Sequence, residues 1–492
     1  MLKKEKSEAL TIPFNEYFPA GHSNLHVPTD VTKHRLFIER SVGTHLTDID
    51  GNEYIEYNGS MGPNILGHSH PEFVEKICEY IQNNGTTIGS NLLFSPMDLK
   101  VAEILREYIP CCEQLKMTTT GSEAVQAAFR IARAYTGKNV IVRFEGTYAG
   151  WNDNVLGGRI NRTAGEDIPY TDFSQGSSPD EDAFYTLGRV PWANLETIMI
   201  QWNNFEMLEE TFDKYHDIIA AIHFEGIVWN HDGLYPKPGF LEKVRELCDK
   251  YNVVMSMDEV ITGFRVHFGG AQTILGVTPD ICTVGKAMSN GIPISAVLGS
   301  KKIMECVRGN RVLTPGTYQG YGLGMAAILA NLDILMRDDF AVYKQVFAVQ
   351  EVIMDGLVES AQRNGIPLTI TEANGVFSTI FGVPGGRRRL YDDDELKGFD
   401  NELCNNFQRY MQEFGVFLMH GGRWYVSAQH TMEDAEKTLE AADRAMKALA
   451  EHGGKFVMML GSKHSVWNPN HLQHLENFTF RGLYLSGHGR IS

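Results

Sequence analysis

Three short stretches of this sequence carry residue types that suit chemistry. The first is Thr120-Gly121-Ser122-Glu123, directly after an apolar run and at the head of an amphipathic segment. Thr120 and Glu123 have capping-box spacing, and Gly121 lets a ligand come close to the backbone. A helix N-terminus presents free N–H groups and the positive end of the dipole, so a phosphate can dock there without Lys or Arg; an ordinary capped helix looks the same. The second is Met257-Asp258-Glu259-Val260-Ile261-Thr262-Gly263-Phe264-Arg265, with Asp258 at the carboxyl end of an apolar run. An acid there either pairs with a cationic ligand atom or caps the turn that follows. The third is Thr283-Val284-Gly285-Lys286, which puts a Lys at the end of the next run. A Lys leaving a buried strand can be desolvated, and desolvation favours the neutral, nucleophilic amine that Schiff-base chemistry requires; taken singly, such a Lys is more often a surface residue.

These residues need a frame, and the chain supplies one. From about residue 114, short apolar runs alternate with amphipathic segments, which predicts an α/β fold with a mostly parallel sheet flanked by helices. The runs are Gln114–Thr119, Val140–Phe144, Thr197–Gln201, Ile218–Phe224, Val253–Met257, Ile281–Val284 and Ile294–Leu298, nearly continuous in apolar residues as strands buried on both faces should be. Val125, Ala128, Phe129 and Ala132 recur at helical spacing before Gly137, a C-terminal capping residue, and Leu241, Val244, Leu247, Cys248 and Tyr251 mark another helix. After residue 335 long helical stretches dominate, ending in a helix opened by Thr431-Met-Glu-Asp434. The expected organisation is an N-terminal segment 1–80 belonging to a small domain and a dimer interface, a large domain 81–335, a small α+β domain 336–450 and an extension 451–492 without periodicity.

Composition fits a folded protein and narrows its partners. The chain has 492 residues, 43% hydrophobic and 21% charged, and 44 Lys+Arg against 61 Asp+Glu give a net charge of -17, unsuited to nucleic acid or an anionic membrane. Seven scattered cysteines without CxxC spacing indicate reduced thiols rather than disulfides or zinc, and a cytoplasmic location is expected. His68 and His70 lack nearby acidic or Cys ligands and read as structural, as do the scattered histidines of the tail. Arg387-Arg388-Arg389 and Asp392-Asp393-Asp394-Glu395 read as a solvated loop.

A phosphate cradle, a strand-end acid and a strand-end Lys, in this order, are what pyridoxal 5'-phosphate needs: a phosphate site, a carboxylate for the ring nitrogen and an amine for the Schiff base. At this point the chain resembles the class III, fold type I pyridoxal-phosphate aminotransferases, in a style similar to glutamate-1-semialdehyde 2,1-aminomutase, over roughly residues 30–450. The resembling segments are Asp48-Ile-Asp-Gly-Asn-Glu-Tyr-Ile-Glu-Tyr57, Gly67-His-Ser-His-Pro71, Thr120-Gly-Ser-Glu-Ala124, Phe144-Glu-Gly-Thr-Tyr-Ala-Gly-Trp151, Asp258-Glu-Val-Ile-Thr-Gly-Phe-Arg265, Gly285-Lys286 and Gly316-Thr-Tyr-Gln-Gly320.

The resemblance implies that Lys286 carries the cofactor and moves the substrate proton, that Asp258 pairs with the ring nitrogen, and that Val260 and Tyr148 cover the two ring faces. It further implies that Gly121 and Ser122 hold the phosphate, with Thr317 reaching it from a neighbouring subunit of a homodimer. Asn230 matches the position that bonds the ring hydroxyl, and Glu225 matches the acid of the family's Glu-Pro pair, here followed by Gly226. Other departures concern the substrate. Ala149 follows the stacking Tyr, Tyr321-Gly322 replaces an Asn-Pro, and the aminomutases' carboxylate arginine and gating acid fall at Val27 and about Gly422. Arg423 offers a carboxylate fork or a surface salt bridge, and Met61 and Trp151 are candidate pocket walls or ordinary core residues.

The function expected from all this is a transaminase that passes an amino group from a small-molecule donor to an aldehyde or keto acceptor by way of pyridoxamine phosphate, with no metal. An intramolecular aminomutase or an epimerase on the same cofactor is the alternative, and a non-catalytic binding module is the reading from another class.

Overall fold

The protein, seen in a computed structural model, is described over residues 2–18, 35–85, 93–156, 190, 193, 196–419 and 421–456. Its centre is a seven-stranded sheet ordered Gln114–Thr118, Ser295–Gly299, Ile281–Val284, Val254–Glu259, Ile219–Glu225, Val140–Phe144, Thr197–Ile200. The five strands from Ile281–Val284 to Thr197–Ile200 pair in parallel, and Ser295–Gly299 runs antiparallel to both its neighbours. Each of the seven apolar runs read from the sequence becomes one of these strands, with ends displaced by two residues at most. The parallel strands are buried along their whole length, which is why their sequences are continuous rather than alternating.

The helix Gly121–Thr136 lies on one face of this sheet. Its N-terminus is fixed as the sequence predicts, with Thr120 Oγ1 accepting from Glu123 N at 3.3 Å, while Glu123 Oε2 reaches back to accept from Thr119 N at 2.7 Å. Gly137 ends it at φ 72°, where a side chain would be strained. Ala124, Val125, Ala128, Phe129 and Ala132 are buried from this helix, and the small alanines allow close approach to the strands.

Two four-stranded sheets lie outside the large one. The first runs Ile38–Val42, His45–Asp48, Glu53–Glu56, Val416–Phe417, so the N-terminal strands are completed by a C-terminal one. The second runs Gly386–Arg387, Leu368–Ala373, Val376–Phe381, Arg423–Tyr425. The helices Asn401–Glu413 and Met432–Glu451 enclose a core of their own with Ile353, Leu357, Phe377, Phe407 and Trp424. The long helix Gly322–Asn364 connects the two cores and breaks at Arg337–Phe340, one residue beyond the expected boundary at 336; the boundary expected at 80 falls inside the helix Pro71–Asn84.

One sequence expectation is corrected in part. The charged stretch 387–395 faces solvent as expected but is tied down rather than free. Arg387 bonds Glu351, Asp355 and Glu372, Arg388 pairs with Glu395, Arg389 lies 4.6 Å from the Tyr235 ring, and Asp392 pairs with Lys237 at 2.8 Å. Opposite charges supplied by distant segments dock it, which a local run of charge does not reveal. His68 and His70 are structural as expected: His68 Nε2 lies 2.6 Å from Glu56 Oε1, and His70 Nδ1 accepts from Phe73 N at the head of the helix Pro71–Asn84. Among the described residues no His/Cys/Asp/Glu cluster fits a metal, all seven cysteines are free thiols, and no helix is long and apolar enough to cross a membrane. Val27 and the tail beyond 456 lie outside the described residues.

Candidate active site

Three neighbouring parallel strands deliver three ionisable residues to the same carboxyl edge. Glu225 ends one strand and stands in register with Asp258 on the next, while Asp258 stands in register with Thr283 on the third, whose continuation carries Lys286. Gly285 makes that continuation possible, because a Cβ there would sit 2.6 Å from Ser295 Oγ. Lys286 itself takes φ 45°, a left-handed conformation costing a non-glycine residue about 1–2 kcal/mol. The turn around it is held by Met288 N donating to Gly285 O at 2.9 Å, Ser289 N donating to Lys286 O at 3.2 Å and Asn331 Nδ2 donating to the carbonyls of Ala287 and Met288.

Burial dominates the electrostatics. It pushes the Lys286 ammonium below the ordinary lysine range, with Arg423 acting in the same sense and Tyr425, Asp258 and Glu225 opposing. Burial also pushes the Glu225 carboxyl up to about 7, with the Asp258 carboxylate adding to the rise. Opposing it, Glu225 accepts from Tyr148 N at 3.1 Å, Asn230 N at 3.2 Å and Asn230 Nδ2 at 2.9 Å. Burial and the neighbouring Asp258 thus favour a protonated Glu225 up to about neutral pH.

Around this core the structure brings together most of the residues singled out in the sequence. Asp258 Oδ1 accepts from Val260 N at 2.8 Å, so the acid does cap its turn, and its Oδ2 remains directed at His223 Nε2, 3.6 Å away. A Cβ on Gly121 would lie 3.3 Å from Val260 Cγ1, which places the helix N-terminus against the same turn. Tyr148 bonds Ser122, and Gly150 passes so close that a Cβ there would meet Ser122 Oγ at 2.7 Å. Arg423 lies half-buried at the edge of the site and donates to Tyr425 Oη at 3.3 Å; among the described residues no carboxylate makes a salt bridge with it. Gly422 is held at φ 82° where a Cβ would strike Thr379 O at 2.5 Å.

Three residues stand apart. Thr317 is exposed in the loop 314–320, with no hydrogen bond to the others among the described residues. Trp151 is 68% exposed and Met61 37% exposed, so neither is core. Met61 belongs to the turn Asn58–Gly62, where Gly59 and Gly62 make room for the Tyr425 ring.

Sequence reasoning missed His223, Arg265 and Tyr425. His223, fully buried between Phe129 and Ser256, bonds Ser256 Oγ at 2.9 Å through Nδ1. A lone His inside an otherwise apolar strand was the available signal. Arg265 is fully buried and donates to the carbonyls of Gly62, Gly375 and Val426, tying three segments together. Tyr425 follows Arg423 by two residues on one strand, so the two share a face while Trp424 enters the opposite core.

Fold and site together define a fold type I pyridoxal-phosphate transferase. The sequence profile of the class III aminotransferases matches residues 27–388, and the chain belongs to that family. Among solved structures, a transaminase with bound pyridoxal phosphate has a TM-score of 0.79 at 23% identity, covering 92% of this chain and 100% of its own. An omega-transaminase from Sphaerobacter thermophilus has a TM-score of 0.77 at 22% identity, covering 90% of this chain and 97% of its own. A glutamate-1-semialdehyde aminomutase from Pseudomonas aeruginosa has a TM-score of 0.75 at 21% identity, covering 92% of this chain and 95% of its own.

The protein is accordingly a pyridoxal-phosphate-dependent aminotransferase acting on small-molecule amino and keto compounds. The residues present fit that cofactor: an amine whose protonated form burial disfavours, a carboxylate for a cationic ring nitrogen, and a helix N-terminus of Gly and Ser for a phosphate.

Proposed function

We propose that this chain transfers an amino group from an external donor to an aldehyde or keto acceptor with Lys286 as the acid/base in both halves. The observation that carries the reading is Lys286 itself, held in a left-handed conformation at a strand end with its ammonium destabilised by burial beside two carboxyl groups. Pyridoxal phosphate, when bound, supplies an aldehyde that receives nitrogen and a ring that accepts the electron pair freed when the substrate carbon loses a proton.

The chain's own residues account for the rest. Lys286 Nζ, favoured as neutral amine, takes the proton from the substrate carbon and returns one on the other side of the reaction. Asp258 keeps a proton on the ring nitrogen, since its carboxylate is a base that burial prevents water from screening. Gly121 and Ser122 would hold the phosphate through backbone N–H groups and the Ser hydroxyl, and Val260 and Tyr148 would cover the ring. Asn230, turned by Glu225, donates to the ring hydroxyl. Thr317 of the partner subunit completes the phosphate site; its exposure in this chain supports a homodimer with shared sites. Arg423 receives a substrate carboxylate, supported by its half-buried position and its buried Nε without a partner, while Met61 and Trp151 border the entrance. Seven free thiols, six of them buried, support a cytoplasmic location.

The test is the absorbance of the purified holoenzyme on adding L-glutamate, L-alanine or isopropylamine separately, without acceptor. Conversion of the cofactor band by one donor, lost in Lys286→Ala, is expected. A band that survives every donor while the isolated protein still isomerises an amino aldehyde would replace this reading with the aminomutase one.

A further inference from the structure

The described part of the molecule holds an arrangement that the roles above leave unused: a buried phenol surrounded by cations. Tyr425 is 1% exposed, and its hydroxyl accepts from Arg423 Nη1 at 3.3 Å. The Arg265 guanidinium lies 5.1 Å from its ring centroid. A Cβ on Gly62 would meet the ring at 2.9 Å and the hydroxyl at 3.3 Å, so the phenol end lies against the turn that carries Met61. Arg265 in turn donates to Gly62 O at 2.9 Å and Val426 O at 3.0 Å, which fixes both the turn and the strand on either side of the ring.

Arg423 has far fewer restraints. Its Nε is buried without a partner, and the bond to Tyr425 is its one hydrogen bond among the described residues. A long side chain with two or three free torsions loses its preferred direction unless something holds one end. We infer that Tyr425 is the positioning residue that aims the Arg423 guanidinium into the substrate pocket and so sets the preference for substrates bearing a carboxylate.

The inference rests on the reading of Arg423 as the carboxylate fork. Its chemistry is that of an acceptor matched to a donor: one Nη1 hydrogen is taken by the phenol oxygen, and the remaining guanidinium edge stays free for a planar two-oxygen ligand. Burial alone would raise the phenol, but Arg423, Lys286 and Arg265 outweigh it and hold the group below the ordinary tyrosine range. A carboxylate in Tyr425's place would bind Arg423 more strongly but would compete with the substrate for it. A phenol orients the guanidinium without neutralising it.

The test uses holoenzyme and two probes. Propanoate, which cannot react, is titrated calorimetrically, and half-reaction kcat/KM is measured for L-alanine and for isopropylamine, which has a methyl group where alanine has its carboxylate. Arg423→Gln is expected to weaken propanoate at least tenfold. Tyr425→Phe, which keeps the ring and its packing, is expected to weaken propanoate about fivefold and to lower the alanine-to-isopropylamine ratio by the same factor. The double variant should bind no worse than Arg423→Gln alone, because Tyr425 acts through Arg423. Should the Phe variant fail to fold, Tyr425→His retains a ring acceptor and is expected to preserve most of the ratio, whereas an equal loss for both donors overturns the proposal. If Arg423→Gln leaves propanoate binding unchanged, the carboxylate reading itself falls and this inference with it. If Arg423→Gln acts as expected but Tyr425→Phe leaves the ratio intact, or the two effects multiply in the double variant, only the role of Tyr425 is refuted.

Discussion

Glu225→Gln tests whether the structure assigns the right proton to the right residue. In the folded protein the Glu225 carboxyl is pushed from an ordinary value near 4.5 up to about 7 by burial and the neighbouring Asp258. Below pH 4.5 the carboxyl is protonated in folded and unfolded chains alike and contributes no pH dependence. Between there and about 7 the unfolded chain ionises while the folded one keeps its proton, so wild-type stability falls as pH rises and levels off above 7. A rise of that size corresponds to a total loss of about 3 kcal/mol. Gln has the same shape and no charge. It forfeits one acceptor, because the donors Tyr148 N, Asn230 N and Asn230 Nδ2 all point at the carboxyl. That cost, about 1–3 kcal/mol, is independent of pH. The informative quantity is therefore the slope and not the offset: the stability of the variant minus that of the wild type should climb by about 3 kcal/mol from pH 4.5 to 8. Urea unfolding of both proteins at matched ionic strength, followed by tryptophan fluorescence, measures it. A difference that stays flat across this range would show that Glu225 is ionised throughout and that the reasoning from burial is wrong. A flat difference for Glu225→Gln with a slope appearing in Asp258→Asn would move the proton to the other member of the pair.

Further outcomes are expected elsewhere. Asp258→Asn should lower the transamination rate by at least a hundredfold while changing stability by less than about 2 kcal/mol, because Asn can still accept from Val260 N; an unchanged rate would contradict its partnership with a ring nitrogen. Thiol titration of the native protein should find one fast-reacting group, the exposed Cys78, and all seven only in denaturant, since burial pushes the Cys112 thiol up to about 12 and raises those of Cys248 and Cys404, while the contact with Cys111 and burial raise Cys282. A second fast thiol in native buffer would show that one of the buried cysteines opens to solvent.

What was legible in the sequence was what is local or periodic. Continuous apolar runs specify strands buried on both faces, and the Thr120 and Thr431 caps announce their helices within a few residues of chain. Asp258 and Lys286 were readable because each sits where an apolar run stops, and in a parallel sheet those ends converge, whereas Glu225 was reached only through the family resemblance. The docking of the charged stretch 387–395 was not legible because its partners, Glu351, Asp355, Glu372 and Lys237, come from 15 to 155 residues away. Tyr425 and Arg265 were invisible for a related reason. Their significance depends on the turn Asn58–Gly62, and no spacing rule connects residue 62 to 265 or 425.

The charges around the site lead to a last step of argument. Arg265, Arg423 and Lys286 converge on Tyr425, and burial, which opposes a positive charge, holds Arg265 down to about 10 and depresses Lys286. Lys286 is driven toward its neutral form and Glu225, raised by burial, offers little negative charge, so the two guanidinium groups stand as an excess of positive charge. A folded chain tolerates such an excess only where each charge is bonded or an anion is to arrive. Arg265 meets the first condition through three carbonyls, and its place between the turn and the strand is structural. Arg423, with one phenol for company and an unsatisfied Nε, does not. The unspent positive charge at Arg423 therefore points to a substrate that brings its own negative charge, so that amino acids and keto acids should outcompete simple amines and aldehydes of the same size.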